Sequence, residues 1–282
     1  MADVTGSEIL ARALKKEGTK DLFFIMGGPM QLVQTTCAQE EIRMIDVRHE
    51  QAAALSAQAY SRLLQKPGVC MGASGPGAIN LTTGLANALI DCAPVVALGG
   101  SSAIGLFGRQ TFQEIDQVAI MKACTKWSDR VVNLKRIPEQ VNNAFQKAMG
   151  GKPGPVYLDF PADILYEKID ESQVDWRLSG RPLLNPRPMG ETAQVDKLID
   201  ALAKAKQPLI VSGSGVIWSK ACRAGSPSAP RGPGRPVARL LQSRRSGGRT
   251  TRTCWSARNR GRRCTSRPAS SASGRASGRG WR

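Results

Sequence analysis

One histidine, His49, occurs in 282 residues, which argues against a metal site built on imidazoles. The seven cysteines (Cys37, Cys70, Cys92, Cys124, Cys222, Cys254 and Cys264) stand apart, without the close pairs that zinc and dithiol redox motifs require. No metal site is therefore expected from the residues of this chain. Most cysteines of the first part sit among apolar neighbours, as buried free thiols of a reducing compartment do. No apolar run approaches the length that spans a bilayer, and no charged-then-apolar leader opens the chain. The expected setting is cytoplasmic, away from membranes.

Acidic residues and lysine are missing from one stretch altogether. Residues 222–282 contain no Lys, Asp or Glu, yet hold sixteen of the forty Lys and Arg, all of them Arg. The formal charge of +18 is thus a property of the tail, and residues 1–221 carry only about +2. The tail also loses nearly all large apolar residues, leaving Arg, Gly, Ser, Pro and Ala with isolated Trp255 and Trp281. Such a composition buries too little surface to offset its ordering entropy, so disorder is expected. Clusters such as Arg244-Arg245 and Arg258 to Arg263 would suit phosphate, which makes a nucleic-acid arm one reading. A shifted reading frame is the reading favoured here, because the residue types are those of GC-rich codons and the break falls inside a domain rather than in a linker.

The first part alternates strands and helices. Thr5-Gly6-Ser7-Glu8 is a capping-box pattern opening a helix with Ile9, Leu10, Ala13 and Leu14 on one face and Gly18 at its end. Asp21 to Met26 reads as a buried strand, Gly27-Gly28-Pro29 as the turn into a helix carrying Met30, Leu32 and Val33, and residues 42–47 as a short strand. Val69 to Ala73 and Pro94 to Leu98 are further apolar strands, with a helix through Leu81, Leu85, Ala88 and Leu89 between them. Cys124 to Val131 is a candidate strand, Ile137 to Met149 an amphipathic helix opened by Pro138, and Pro155 to Phe160 a last buried strand. This pattern predicts the α/β class, with a parallel sheet covered by helices on both faces over residues 1–165. Residues 166–190, rich in Pro and Arg, read as an interdomain connection. Ala193 to Ala205 and Pro208 to Ser212 start a second α/β domain over 191–221, and 222–282 is the tail.

Parallel sheets bind ligands in the loops after the carboxyl ends of their strands. Gly27-Gly28, the turn at Glu50, Ser74 to Gly77 and the loop from Gly99 to Ile115 are therefore expected to gather on one edge. Glu50 falls in the first turn of the helix that follows Val47-Arg48-His49, and is the candidate for chemistry. A dipole-compensating Glu at a helix start is the plainer alternative.

Several motifs in fixed order then resemble one family. Arg48-His49-Glu50-Gln51-Ala52-Ala53, Gly68-Val69-Cys70, Ser74-Gly75-Pro76-Gly77, Asn80, Gly99-Gly100-Ser101-Ser102, Phe112-Gln113-Glu114 and the run from Gly154 to Asp163 resemble the N-terminal pyrimidine-binding domain of thiamine-diphosphate enzymes. The resemblance is to the branch of acetolactate synthase, oxalyl-CoA decarboxylase and 2-hydroxyacyl-CoA lyase, over roughly residues 3–220.

The resemblance implies thiamine-diphosphate-dependent cleavage or ligation of C–C bonds in 2-oxo acids or acyl-CoA substrates, within a dimer or tetramer. It matches Glu50 to the glutamate that hydrogen-bonds the cofactor's aminopyrimidine. Gly28 and Pro29 match the turn beside that ring, and Gly75, Pro76 and Gly77 the turn where backbone approaches the cofactor. Asn80 and Gln113 are either cofactor contacts or, respectively, a turn-fixing and a solvated loop residue. His49 is expected as a packing residue. The family binds Mg2+ and the diphosphate through a further domain with a Gly-Asp-Gly motif, which does not occur in this sequence, and some members bind FAD in the central domain. Neither site is expected in this chain, which alone is expected to be inactive.

Overall fold

The structure is a computed structural model that describes residues 3–183, 189–221 and 239–242. A short strand β1 (Asp3–Thr5) leads directly into α1 (Gly6–Lys16). Both arms of the capping box form. Thr5 Oγ1 accepts from the Glu8 N–H at 3.2 Å, and Glu8 Oε2 accepts from the Thr5 N–H at 2.7 Å. The backbone hydrogen bond from Thr5 holds the Glu8 carboxyl below its ordinary pKa. Ile9, Leu10, Ala13 and Leu14 are fully buried, as the helical spacing predicts.

The central sheet contains β2 (Asp21–Phe24), β3 (Arg43–Asp46), β4 (Gly68–Gly72), β5 (Val95–Ser101), β6 (Trp127–Arg130) and β7 (Val156–Pro161). Their order is β3-β2-β4-β5-β7-β6, and every pairing is parallel. The chain moves outward from β2 to β3, then crosses back over β2 to β4. The order reverses there, so the connections leaving the carboxyl ends of the paired strands β2 and β4 run in opposite directions, the arrangement that leaves a crevice at a topological switch point.

Alternating strand residues feed two cores. On one face Leu22, Phe24, Val69, Met71, Val96, Leu98, Val156 and Leu158 pack against α1, α2 (Gln31–Gln39) and α7 (Ile137–Met149). A fully buried side chain such as Leu10 or Phe145 contributes about 1.5–3 kcal/mol relative to its exposed state. On the other face Cys70, Val95 and Ala97 meet Ala53, Ala54, Ala57, Leu81, Leu85 and Ala88 from α3 (Glu50–Leu64) and α5 (Thr82–Ile90). The small residues let α3 lie close to the sheet, which brings its first turn against the turn after β4. A short α4 (Pro76–Asn80) bridges that turn to α5.

Burial pushes the thiol of Cys37 up to about 12 and raises those of Cys70 and Cys124. All three are free and buried, as expected; Cys92 is free and half-buried.

Residues 166–190 are not a bare connection in their first part. After α6 (Gln117–Lys122), α7 and α8 (Ala162–Tyr166), the strand β8 (Lys168–Asp170) pairs antiparallel with β1, matching Asp3 to Asp170. Val174 is buried in the first core, and Trp176 and Leu183 pack against it. Apolar residues spaced among prolines and arginines account for the difference. Beyond, α9 (Thr192–Lys204), β9 (Leu209–Ser212) and α10 (Gly215–Trp218) follow. No residue of α9 is buried, and Val195, Leu198 and Ile199 are exposed. Within the tail, β10 (Arg239–Gln242) lies parallel to β9. The rest of 222–282 lies outside the described residues.

Candidate functional site

The loops after β2, β4 and β5 meet at the switch point. The Ser74 N–H donates to the Gly28 carbonyl at 3.1 Å, tying the turn after β4 to the turn after β2. The Ser74 hydroxyl donates to Gln113 Oε1 at 2.7 Å, which attaches the long loop after β5. Gly28 and Pro29 are joined by a cis peptide bond. Together Met26, Gly28, Pro29, Ser74, Gln113 and Tyr166 form much of the wall of a cavity of about 470 Å³. Phe112 also reaches this wall while remaining mostly exposed.

Gly75 is the residue on which the turn depends. Its φ of +53° lies in the left-handed region, and a Cβ there would fall 2.3 Å from the Gln113 carbonyl oxygen. Glycine is therefore required on two counts. Pro76 follows as the first residue of α4, where a missing N–H costs nothing.

Glu50 sits on the far side of the same turn. It opens α3 and is only 8% exposed. Asn80 Nδ2 donates to Glu50 Oε2 at 3.0 Å. A Cβ on Gly77 would lie 3.2 Å from Glu50 Oε1, so the absence of a side chain leaves room beside that oxygen. A purely dipole-compensating glutamate would stay in solvent; this one is buried and held by a second helix. His49 is exposed rather than packed. Its Nδ1 accepts from the Gln51 N–H at 3.1 Å and so caps α3, directly before the buried Glu50.

The residues expected at the site thus fall into two groups. Gly28, Pro29 and Gln113 line the cavity, whereas Glu50, Gly77 and Asn80 form a carboxylate cluster; Gly75 and Pro76 lie in the turn between them. Glu50 is not part of the cavity wall.

A third group escaped the reading of the sequence. Asp159 is fully buried on β7. Arg130 pairs with its Oδ2, and the Ser101 hydroxyl donates to the same oxygen at 2.8 Å. Tyr157 donates to Oδ1 at 3.1 Å, and Gln117 Nε2 also donates to Oδ1. Burial and the neighbouring Asp159 push the Tyr157 hydroxyl well above its ordinary pKa. The available signal was an Asp and a Tyr in an otherwise apolar buried strand, since a buried carboxylate demands partners. Gln117 gave no comparable signal, because its partners come from three separate segments.

The loop between Ser101 and Gln117 is fastened at several points. Glu114 accepts from the Gly108 and Thr111 N–H groups, and these bonds lower its pKa, with Thr111 foremost. Asp163 Oδ2 accepts from the Ile104 N–H at 3.0 Å. The Arg130 guanidinium lies 4.2 Å from the Phe107 ring centroid, linking the loop to the buried Asp159.

Among the described residues no group of three or more His, Cys, Asp or Glu is gathered as metal ligands. Among them too, no helix is long and apolar enough to cross a membrane.

Residues 4–120 match the family described as "Thiamine pyrophosphate enzyme, N-terminal TPP binding domain". The chain is 37% identical over 222 residues to the probable acetolactate synthase large subunit of Methanocaldococcus jannaschii, a match covering 77% of this chain and 37% of that protein. The mitochondrial acetolactate synthase of Schizosaccharomyces pombe is 37% identical, with 77% of this chain and 34% of the relative covered. The 2-hydroxyacyl-CoA lyase of Arabidopsis thaliana is 33% identical, with 77% and 39% covered. The chain spans little more than a third of the length of these relatives.

Proposed function

Because residues 4–120 match the N-terminal TPP binding domain of the thiamine pyrophosphate enzymes, we propose that this chain holds the pyrimidine half of thiamine diphosphate, with Glu50 as its activating carboxylate. The observation that carries the proposal is Glu50 itself: buried, with Oε2 occupied by Asn80 and Oε1 beside the bare backbone of Gly77. A flat ring approaching the Ser74–Gly77 turn would meet glycine backbone and one carboxylate oxygen, which fits an aminopyrimidine.

When bound, the cofactor supplies a nucleophilic thiazolium carbon and accepts the electron pair released by C–C cleavage. Glu50 would hold a proton at Oε1 against the bound pyrimidine and so favour the tautomer in which the cofactor's amino group can serve as a base. Asn80 holds Oε2, which leaves Oε1 beside Gly77, where the ring would lie. Gly28, Pro29 and Gln113 shape the adjoining cavity, where the reacting part of a 2-oxo acid or acyl-CoA substrate is bound. The full reaction is that of an acetolactate-synthase-like or 2-hydroxyacyl-CoA-lyase-like carboligase or lyase, in the cytoplasm and within a homo-oligomer. Mg2+ and the diphosphate are assigned to a domain other than this one.

The test is calorimetric titration of the full chain with thiamine, which lacks the diphosphate and so reports on the pyrimidine half. Glu50→Gln is expected to weaken binding by about tenfold or more, the loss of one charge-assisted hydrogen bond. Equal affinity in wild type and variant would overturn the role of Glu50.

The same reading extends to residues 222–282, which we take to be the product of a shifted frame. Resequencing the codons for Ser219 to Arg223 tests this. Continuation of α/β sequence in another frame supports it, and early stop codons in both other frames refute it.

A further inference from the structure

Gln117 links three parts of the molecule that the sequence keeps far apart. Its Oε1 accepts from the Gly75 N–H at 2.9 Å. Its Nε2 lies 2.7 Å from the Gly100 carbonyl, 2.7 Å from the Tyr157 hydroxyl, and within hydrogen-bonding reach of Asp159 Oδ1. The side chain is almost wholly buried, at 1% exposure.

The two ends of the amide are not interchangeable here. Gly100 offers a carbonyl and Asp159 a carboxylate, and the Tyr157 proton is already given to Asp159, so all three partners of Nε2 accept. A flipped amide would set Oε1 against the Gly100 carbonyl and the Asp159 carboxylate and Nε2 against the Gly75 N–H, losing the bonds to all three. The buried Asp159, itself held by Arg130 and Ser101, therefore dictates which way Gln117 faces.

At its amide, Gly75 is held by Gln117. It opens α4 without a side-chain cap and with positive φ. Its N–H is directed by Gln117, and its carbonyl accepts from Ile79 at 2.9 Å, so the start of α4 hangs on this residue. Two residues of α4, Gly77 and Asn80, are the ones that surround Glu50.

We propose that Gln117 is a positioning residue: locked in one orientation by Asp159, it sets the Gly75 turn and through it the placement of Gly77 and Asn80 about Glu50. The chemical consequence rests on the reading of Glu50 given above, but the coupling itself does not. It joins the loop after β5 to the turn after β4 through the sheet interior rather than across the open cavity.

The experiment is amide hydrogen exchange resolved at single residues in the full chain, with no cofactor present. Gln117→Met is close in volume and removes every polar contact. It is expected to lower protection of Gly75 about tenfold, the worth of one hydrogen bond, while Val69, Cys70, Val96 and Ala97 in the sheet keep theirs. Asp159→Asn, which does not touch Gly75, is expected to lower Gly75 protection in the same selective way. Unchanged protection at Gly75, or an equal fall across β4 and β5, overturns the proposal. Should both variants fail to fold, the through-hydrogen-bond coupling between the Gly75 nitrogen and Gln117 Cδ in the wild-type chain decides it, and its absence refutes the link. Thiamine titration of Glu50→Gln can fail without disturbing any of these readings, and the converse also holds.

Discussion

Asn80 and Glu50 join two helices through one hydrogen bond of 3.0 Å, from the amide of α4 to the carboxylate that opens α3. Thirty residues apart in sequence, they meet because the crossing from β2 to β3 and back to β4 sets the starts of both helices on the same edge of the sheet. A helix-terminal glutamate thereby becomes an oriented one.

Asn80→Ala should expose this dependence. The bond goes to a charged group, so its loss is expected to destabilise the chain by about 1–3 kcal/mol. Urea denaturation measures that cost, and thiamine affinity should fall with it. An unaltered midpoint together with unaltered affinity would show that the bond matters to neither.

Gly77→Ala tests the space beside Oε1. The new Cβ would stand 3.0 Å from the Ala73 Cβ and 3.2 Å from Glu50 Oε1, tighter than ordinary contacts. Repacking of this kind costs about 1–3 kcal/mol. Binding of thiamine should drop further than the stability loss explains, since the methyl group occupies the position next to the reactive oxygen. Full affinity in a folded variant would count against the ring being placed there.

Glu17 offers a pH test remote from the site. Burial raises its carboxyl pKa despite bonds from the Gly180 N–H and Asn142 Nδ2. A raised folded-state pKa means that the folded form binds the proton more tightly than the unfolded form. The stability this gives is present below the unfolded pKa and is lost as pH rises through the folded one. Glu17→Gln keeps an acceptor and removes the charge, so it should stabilise at pH 7 by less than about 1 kcal/mol, the group being half-exposed. The gain should vanish at pH 3. Thermal melts at both pH values would show it, and a variant less stable at neutral pH contradicts the sign.

Glu114 has the opposite sign. The Thr111 and Gly108 N–H groups hold its pKa below the ordinary value. Its hold on the loop is present above the unfolded carboxylate pKa and is lost as pH falls through the depressed folded one. Glu114→Ala should therefore speed tryptic cleavage after the exposed Arg109 at neutral pH, several-fold, with little change at other sites. Equal cleavage rates would show that the loop is fastened elsewhere.

The sheet was legible because its strands are short apolar runs between glycines and prolines, and because α1 announces itself through Thr5 and Glu8. Glu50 could be singled out by its place after a strand. What the sequence did not disclose was distance: that Asn80 serves Glu50, that His49 caps rather than packs, and that Gln117 reaches Gly75. The first and last are contacts between segments whose local patterns are unremarked, and the His49 cap is a local bond to Gln51 that burial among neighbours could equally have replaced. The stretch after Tyr166 was misread for a related reason, since prolines mark turns but do not say whether the residues between them, here Val174 and Trp176, find a core to enter.

The pairing of Asp3–Thr5 with Lys168–Asp170 has a consequence beyond packing. The first strand of the unit and β8, after which only Val174, Trp176 and Leu183 still add to its core, are neighbours about 5 Å apart. A module whose ends meet can be excised, transplanted between parents, or re-cut with its old ends spliced, and the order of its strands in space would survive. A circular permutant opened at the exposed Arg109 and closed by a short linker from Asp170 to Asp3 would keep the edge on which Glu50 stands, so the carboxylate is a property of the closed unit rather than of the direction in which the chain is read.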